Sequence, residues 1–201
     1  ALNNDGTVKS SVIQGTQVSY TAGIFNIAAA TSTAVRGQLA GLTLSAASGS
    51  NTMTVEVGQA VDNTLGETMT LGASLAKTTA TWVAGANGGL DAGAVATATW
   101  YHWYLIKVVT STTVDALFSL SAATPSLPAN YTAKRRLGSM LTNVTGQWSG
   151  FTQDGDYFTW TTPVQDVNAN NPGTAAVTRT LSVPTGTTVF ANVQGVLQNI
   201  G

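Results

Sequence analysis

Apolar and polar positions alternate in short runs along much of the chain. Leu42-Thr43-Leu44-Ser45-Ala46 alternates, Ser48-Gly49-Ser50-Asn51 interrupts as a turn, and Met53-Thr54-Val55-Glu56-Val57 alternates again. A period of two puts the apolar side chains of each run on one face, so this pair predicts a β-hairpin. Residues 67–73 and 79–83 read as a second pair of the same kind. The run Gly85-Ala86-Asn87-Gly88-Gly89 follows as a flexible turn that needs positive φ.

The strongest strand is Trp100-Tyr101-His102-Trp103-Tyr104-Leu105-Ile106-Lys107-Val108-Val109. It is apolar at nearly every position, which predicts cover on both faces. Residues 110–113 turn the chain and 114–121 return as the hairpin partner. Pro125 and Pro128 mark an extended loop, since proline cannot donate to a ladder. Residues 135–141 read as a further strand, and 148–153 and 157–161 flank the turn Asp154-Gly155-Asp156. After a loop at 168–173, residues 175–183 and 187–197 predict a last hairpin around Pro184-Thr185-Gly186.

The helix signal is poor, because Thr, Val, Ser, Gly and Asn favour strands and turns. About ten to twelve strands at intervals of roughly 8–12 residues predict an all-β fold, an antiparallel, jelly-roll-like β-sandwich. That domain is expected over residues 41–201. Residues 1–40, with one strand-like run at Gly23-Ile24-Phe25-Asn26-Ile27, are expected to form an N-terminal arm or linker.

Composition narrows the function. The chain has 201 residues with 8 Lys/Arg, 9 Asp/Glu and one His, a net charge of −1. Charged residues make up 8%, against roughly 25% in an average soluble domain. Cysteine is absent, which removes disulfides, Cys-based metal sites and a Cys nucleophile. Scattered cations argue against a nucleic-acid partner. No apolar run reaches the length of a membrane span, and the first residues carry no signal-peptide pattern, so membrane insertion is not expected. The end at Gly201 follows a strand-like run directly and reads as a truncation. Apolar residues at 43% argue against disorder.

The candidate chemistry is sparse. His102 lies among aromatics, on the face of Trp100 and Tyr104. A general-base role, or that of a pH switch, needs a partner that the neighbouring sequence does not offer, and an aromatic-belt histidine, hydrogen-bonded in a sheet or at an interface, is the favoured reading. Asp154-Gly155-Asp156 resembles a fragment of a calcium loop but lacks the further acids, so a tight turn is favoured. Asp166 with Asn168, Asn170 and Asn171 is read the same way. Asp154 and Asp156 are also the best-spaced pair for carboxylate chemistry on a glycan. Lys134-Arg135-Arg136 is the one charge cluster, suited to gripping an anionic glycan or phosphate or, the favoured reading, to a structural role. Arg135, Arg136, Asp154 and Asp156 are expected at a subunit interface, the arginines pairing with Asp154, Asp156 or Asp115. Tyr131, Trp148 and Tyr157, beside loops, are the candidates for stacking on a sugar or receptor. No nucleophile elbow, P-loop or dinucleotide fingerprint occurs. No cofactor, catalytic residue or metal ligand is expected.

The segments 100–107, 114–121, 125–131 with Arg135-Arg136-Leu137-Gly138-Ser139, and 151–160 together resemble a family of tailed-bacteriophage and prophage virion proteins, described as tail-fibre-like. The resemblance covers about 60 residues strongly and implies a virion component, assembled in the bacterial cytoplasm, with no chemistry. With a charge-poor exterior, it leads to the expectation of a non-enzymatic fibre or spike subunit. Such a subunit would be a homo-oligomer, with a trimer first, and would contact other virion proteins and a host-surface glycan. The alternatives are a head decoration protein, with residues 1–40 as its arm, and a carbohydrate-binding module or glycan-degrading tailspike domain.

Overall fold

The computed structural model describes residues 17–21, 24–28, 37–64, 66–155, 157–169 and 174–196, with backbone only at 17–28 and at 154. Its elements are all strands, and no helix among the described residues is long and apolar enough to cross a membrane. The chain divides into two compact units, Ala1–Ala34 and Val35–Gly201. In the first unit β1 (Gln17–Thr21) and β2 (Ile24–Ala28) form an antiparallel hairpin.

The second unit contains β3 (Leu39–Gly41), β4 (Leu44–Ser45), β5 (Thr52–Val55), β6 (Gly58–Val61), β7 (Thr68–Leu71), β8 (Leu75–Thr81) and β9 (Gly88–Leu90). It continues with β10 (Trp100–Val108), β11 (Val114–Ser119), β12 (Tyr131–Leu141), β13 (Phe151–Asp154) and β14 (Tyr157–Trp160). A seven-stranded sheet runs β12-β10-β11-β9-β8-β5-β4, a three-stranded sheet runs β3-β6-β7, and β13-β14 is a separate hairpin. The fold is all-β and sandwich-like. Met69 and Leu71 of the small sheet, Leu90, Trp103 and Leu105 of the large one, and Phe151 of the hairpin share one core.

Alternation explains the layers. On β5, Met53 and Val55 are fully buried while Thr52 and Thr54 are half-buried. On β10 the odd positions Tyr101, Trp103 and Leu105 enter the main core. Tyr104 and Ile106 instead join Leu117 in a second cluster with Trp82, Leu127 and Tyr131. Both faces of β10 are therefore covered, as its unbroken apolar run implies. Trp103, Phe118 and Trp148 meet with ring centroids 5.0–5.6 Å apart, within the range of favourable aromatic packing.

Three readings of the elements need correction. Residues 67–73 and 79–83 are not a hairpin: β7 pairs β6 in the small sheet, and β8 pairs β5 and β9 in the large one. The glycine run at 85–89 is only partly a turn, because Gly88 and Gly89 begin β9. This strand lies parallel to both β8 and β11, so the large sheet is mixed. A Cβ on Gly88 would sit 1.9 Å from the Thr81 carbonyl oxygen, and one on Gly89 would sit 3.0 Å from Lys77 Cβ. Gly88 serves close backbone approach and Gly89 leaves room for the Lys77 and Phe118 side chains, where the sequence alone presents flexibility. Finally, no strand forms among the described residues 161–169 and 174–196. The turn at Thr185-Gly186 is present, with φ +70° at Gly186, but no hairpin ladder flanks it.

Candidate functional site

Among the described residues, the constellation with catalytic-looking geometry is centred on His102. Between β10 and β12 the register pairs Trp103 with Gly138 but Tyr104 with Arg136, so Leu137 is the extra residue of a β-bulge. The bulge changes parity along β12. Ser139 and Arg136, three residues apart, thereby share the face of His102 and Tyr104, while Leu137 joins the main core.

The hydrogen bonds follow from this placement. His102 Nδ1 lies 2.9 Å from Ser139 Oγ, and Arg136 Nη1 donates to the same oxygen at 3.2 Å. The imidazole also hydrogen-bonds the Thr185 backbone. With Nδ1 accepting the serine proton, Nε2–H is left to donate to the Thr185 carbonyl. Arg136 Nη2 reaches Thr187 Oγ1 at 3.2 Å. His102 is 1% exposed. Burial first, and the Arg136 guanidinium second, hold its pKa below the ordinary imidazole value, against the opposing Thr185 bond.

A serine hydroxyl donating to a neutral histidine that is braced from behind is the arrangement of an activated nucleophile. Here, however, Ser139 is itself buried, and Arg136 occupies one of its lone pairs. The contacts instead fasten the segment around 185–187 to β10 and β12. His102 is hydrogen-bonded within the sheet, one of the two placements expected of it, and it is buried as well.

A second buried network joins the large sheet across β9. Lys77 Nζ meets Asp115 Oδ1 at 2.7 Å and donates to the Val83 carbonyl at 2.8 Å. The Trp82 ring lies 5.2 Å from the ammonium. Asp115 accepts Gly85 N–H at 2.8 Å and Ala116 N–H at 2.6 Å. Burial lowers the Lys77 pKa, and Asp115 counteracts it. Asp115 therefore pairs with Lys77 rather than with the arginine cluster.

The candidates for ligand contact separate. Trp148 is 0% exposed and packs against Phe118 and Trp103, so it is a core residue and presents no face to a ligand. Tyr131 is half-buried, edge-on to Trp82 at 5.5 Å, and burial raises its pKa. Tyr157 on β14 is 81% exposed and is the one of the three with an open ring.

The interface candidates also have partners of their own. Arg135 donates to the Gly37 carbonyl at 3.3 Å, on the side of the sheet opposite Arg136. The Asp154 side chain and all of Asp156 lie outside the described residues. Gly155 between them has φ +55° and closes the β13-β14 hairpin, as a tight turn requires. Asp166 accepts Ser182 N–H at 3.0 Å, and the Ser182 side chain first and this backbone bond second lower its pKa. Asn170 and Asn171 lie outside the described residues. Among those described, no group of three or more His, Asp or Glu is placed to hold a metal ion. A shallow, open surface groove is lined by Ser45, Ser50, Thr52, Thr54 and Phe151.

Comparison with protein-family models, curated proteins and solved structures finds no match for this chain.

Sequence reasoning missed Ser139 because parity along an unbroken strand places it opposite Arg136, and nothing local signals the bulge. It also missed Lys77 with Asp115. The available signal was an acid inside the apolar run Val114-Asp115-Ala116-Leu117, since a charge there needs a buried partner.

Proposed function

We propose that this chain is a non-enzymatic structural subunit of a phage virion, part of a fibre or spike-like appendage that works as a homo-oligomer in host-surface attachment. The observation that carries the reading is where apolar surface remains. The sandwich closes most of its aromatics into cores, Tyr157 excepted, and exposes single apolar side chains such as Val57, Leu120 and Val144, while the segment that follows gathers Val189, Phe190, Val193 and Val196, all exposed, within eight residues, with Val177 exposed before them. Charge is too scarce on this chain to keep such a surface apart from neighbours, so partner subunits are the natural cover.

The resemblance of residues 100–160 to tail-fibre-like virion proteins supplies the setting. Tyr157, whose ring is open at the tip of a hairpin, is the residue offered for glycan or receptor contact. The enclosure of Ser139 and His102 supports a structural role over a catalytic one. A head decoration protein is the second reading, favoured by the separate N-terminal unit 1–34, which suits an arm laid on a shell.

The test is labelling of intact particles with antibodies raised against this chain. Label on the tail appendage supports the fibre reading, label confined to the head transfers the protein to the decoration class, and particles without label sink both.

A further inference from the structure

Residues 188–196 read Thr-Val-Phe-Ala-Asn-Val-Gln-Gly-Val. The stretch has no charge and no proline, and it is rich in residues that favour strands. It nevertheless pairs with no strand among the described residues, and Val189, Phe190, Val193 and Val196 stand exposed.

Its root is anchored. Arg136 holds Thr187, His102 holds Thr185, and Asp166 accepts the Ser182 N–H. Gly186 turns the chain at φ +70° against Ala122. The exposed stretch therefore leaves the sandwich from one defined place. Nine extended residues reach about 30 Å.

We infer that residues 188–196 are the strand through which copies of this chain associate, each pairing in register with the same segment of a second copy. The inference rests on the homo-oligomeric reading above and names its seat.

Three features select a second copy as the occupant. Phe190, Asn192 and Gln194 fall on one face of the strand. In-register pairing of identical strands sets Phe190 on Phe190, Asn192 on Asn192 and Gln194 on Gln194. Stacked rings and amide ladders are the side-chain contacts that reward such self-pairing. The absence of charge removes the like-charge penalty that identical strands otherwise pay, and it offers nothing to a charged partner. The long edge strand of the sandwich, β12, carries Lys134-Arg135-Arg136, and cations there discourage addition of a further strand. The other edge of the large sheet, β4, is two residues long. The two edges of a copy's large sheet are thus poorer sites than a copy's own segment.

The experiment is amide hydrogen exchange over residues 188–196 together with sedimentation of the full chain, at high and low protein concentration. Asn192→Pro and Phe190→Asp are compared with the wild type, since neither site carries a ladder bond or core contact among the described residues. The expected result is an oligomer whose segment amides are slowed about tenfold or more and lose that protection on dilution. Both variants should be monomeric, with near-ultraviolet circular dichroism of the sandwich unchanged. An oligomer that survives in both variants overturns this assignment and leaves the oligomeric reading standing. A wild-type monomer with fast-exchanging segment amides overturns both. Protection that is independent of concentration places the partner within the chain and also overturns the inference.

Discussion

Lys77 on β8 and Asp115 on β11 meet at 2.7 Å across the short strand β9, with side chains 0% and 4% exposed. The contact is possible because β9 places Gly89 between them: a Cβ there would press on Lys77 Cβ at 3.0 Å and on the Phe118 ring at 3.1 Å. A buried ion pair adds little net stability over an apolar pair, but breaking one costs about 3–5 kcal/mol because the remaining charge is stranded. Lys77→Met is expected to destabilise by that order in urea unfolding. Lys77→Met combined with Asp115→Leu should cost less than the two single changes added together. Strict additivity would mean that the two groups do not interact.

The two exposed-versus-buried aromatics give a second contrast. Trp148→Ala removes a fully buried ring from the Trp103–Phe118 cluster and is expected to cost about 3–5 kcal/mol. Tyr157→Ala, at an open ring, should stay within about 0.5 kcal/mol. Paired thermal melts check both. A mild Trp148→Ala would show that the main core lies elsewhere.

Much of this architecture is readable from alternation. The β4-β5 hairpin, the β10-β11 pair, the two-sided burial of β10 and the β13-β14 turn all follow from period-two patterns bounded by Gly, Asn or Asp. What fails is pairing at a distance. Which sheet β7 joins, and that β9 lies parallel to both its neighbours, depends on crossovers that leave no local mark. The candidate site shows the same division. That His102 shares a face with Tyr104 is simple parity, but its contact with Ser139 and Arg136 depends on the bulge at Leu137. Trp148 looked like a surface residue because it borders a loop. In the fold that loop bridges to Ser50 and Thr142 and turns the ring inward.

Glycine substitutions test the account of β9. At Gly88 a Cβ would overlap the Thr81 carbonyl oxygen at 1.9 Å, so Gly88→Ala is expected to cost about 1–3 kcal/mol or more. Gly72 has open space around its Cβ position and no positive φ, so Gly72→Ala should be neutral or stabilising by about 0.4–1 kcal/mol. Equal effects at the two positions would rule out the close approach of β8 and β9.

The pH dependence has two signs. His102 is held neutral in the fold, with its pKa below the ordinary value of 6.5. Below that value the unfolded chain takes up a proton that the folded chain refuses. This contribution to stability is therefore present above pH 6.5 and declines as pH falls through the folded value. Tyr104 is pushed up to about 12 by burial from the ordinary 10.0. Its contribution is present below pH 10 and is lost as pH rises toward 12. Urea midpoints from pH 7 to pH 5 should fall in the wild type and flatten in His102→Gln. A wild-type midpoint unchanged over that range would contradict the buried, neutral histidine.

The most direct measurement of the central claim is a density map of the intact virion into which the sandwich can be placed. The account predicts symmetric copies, three-fold first, in a tail appendage, with residues 188–196 at the contact between copies and Tyr157 facing outward. A purified, infectious particle whose map and peptide content lack this chain altogether would contradict it.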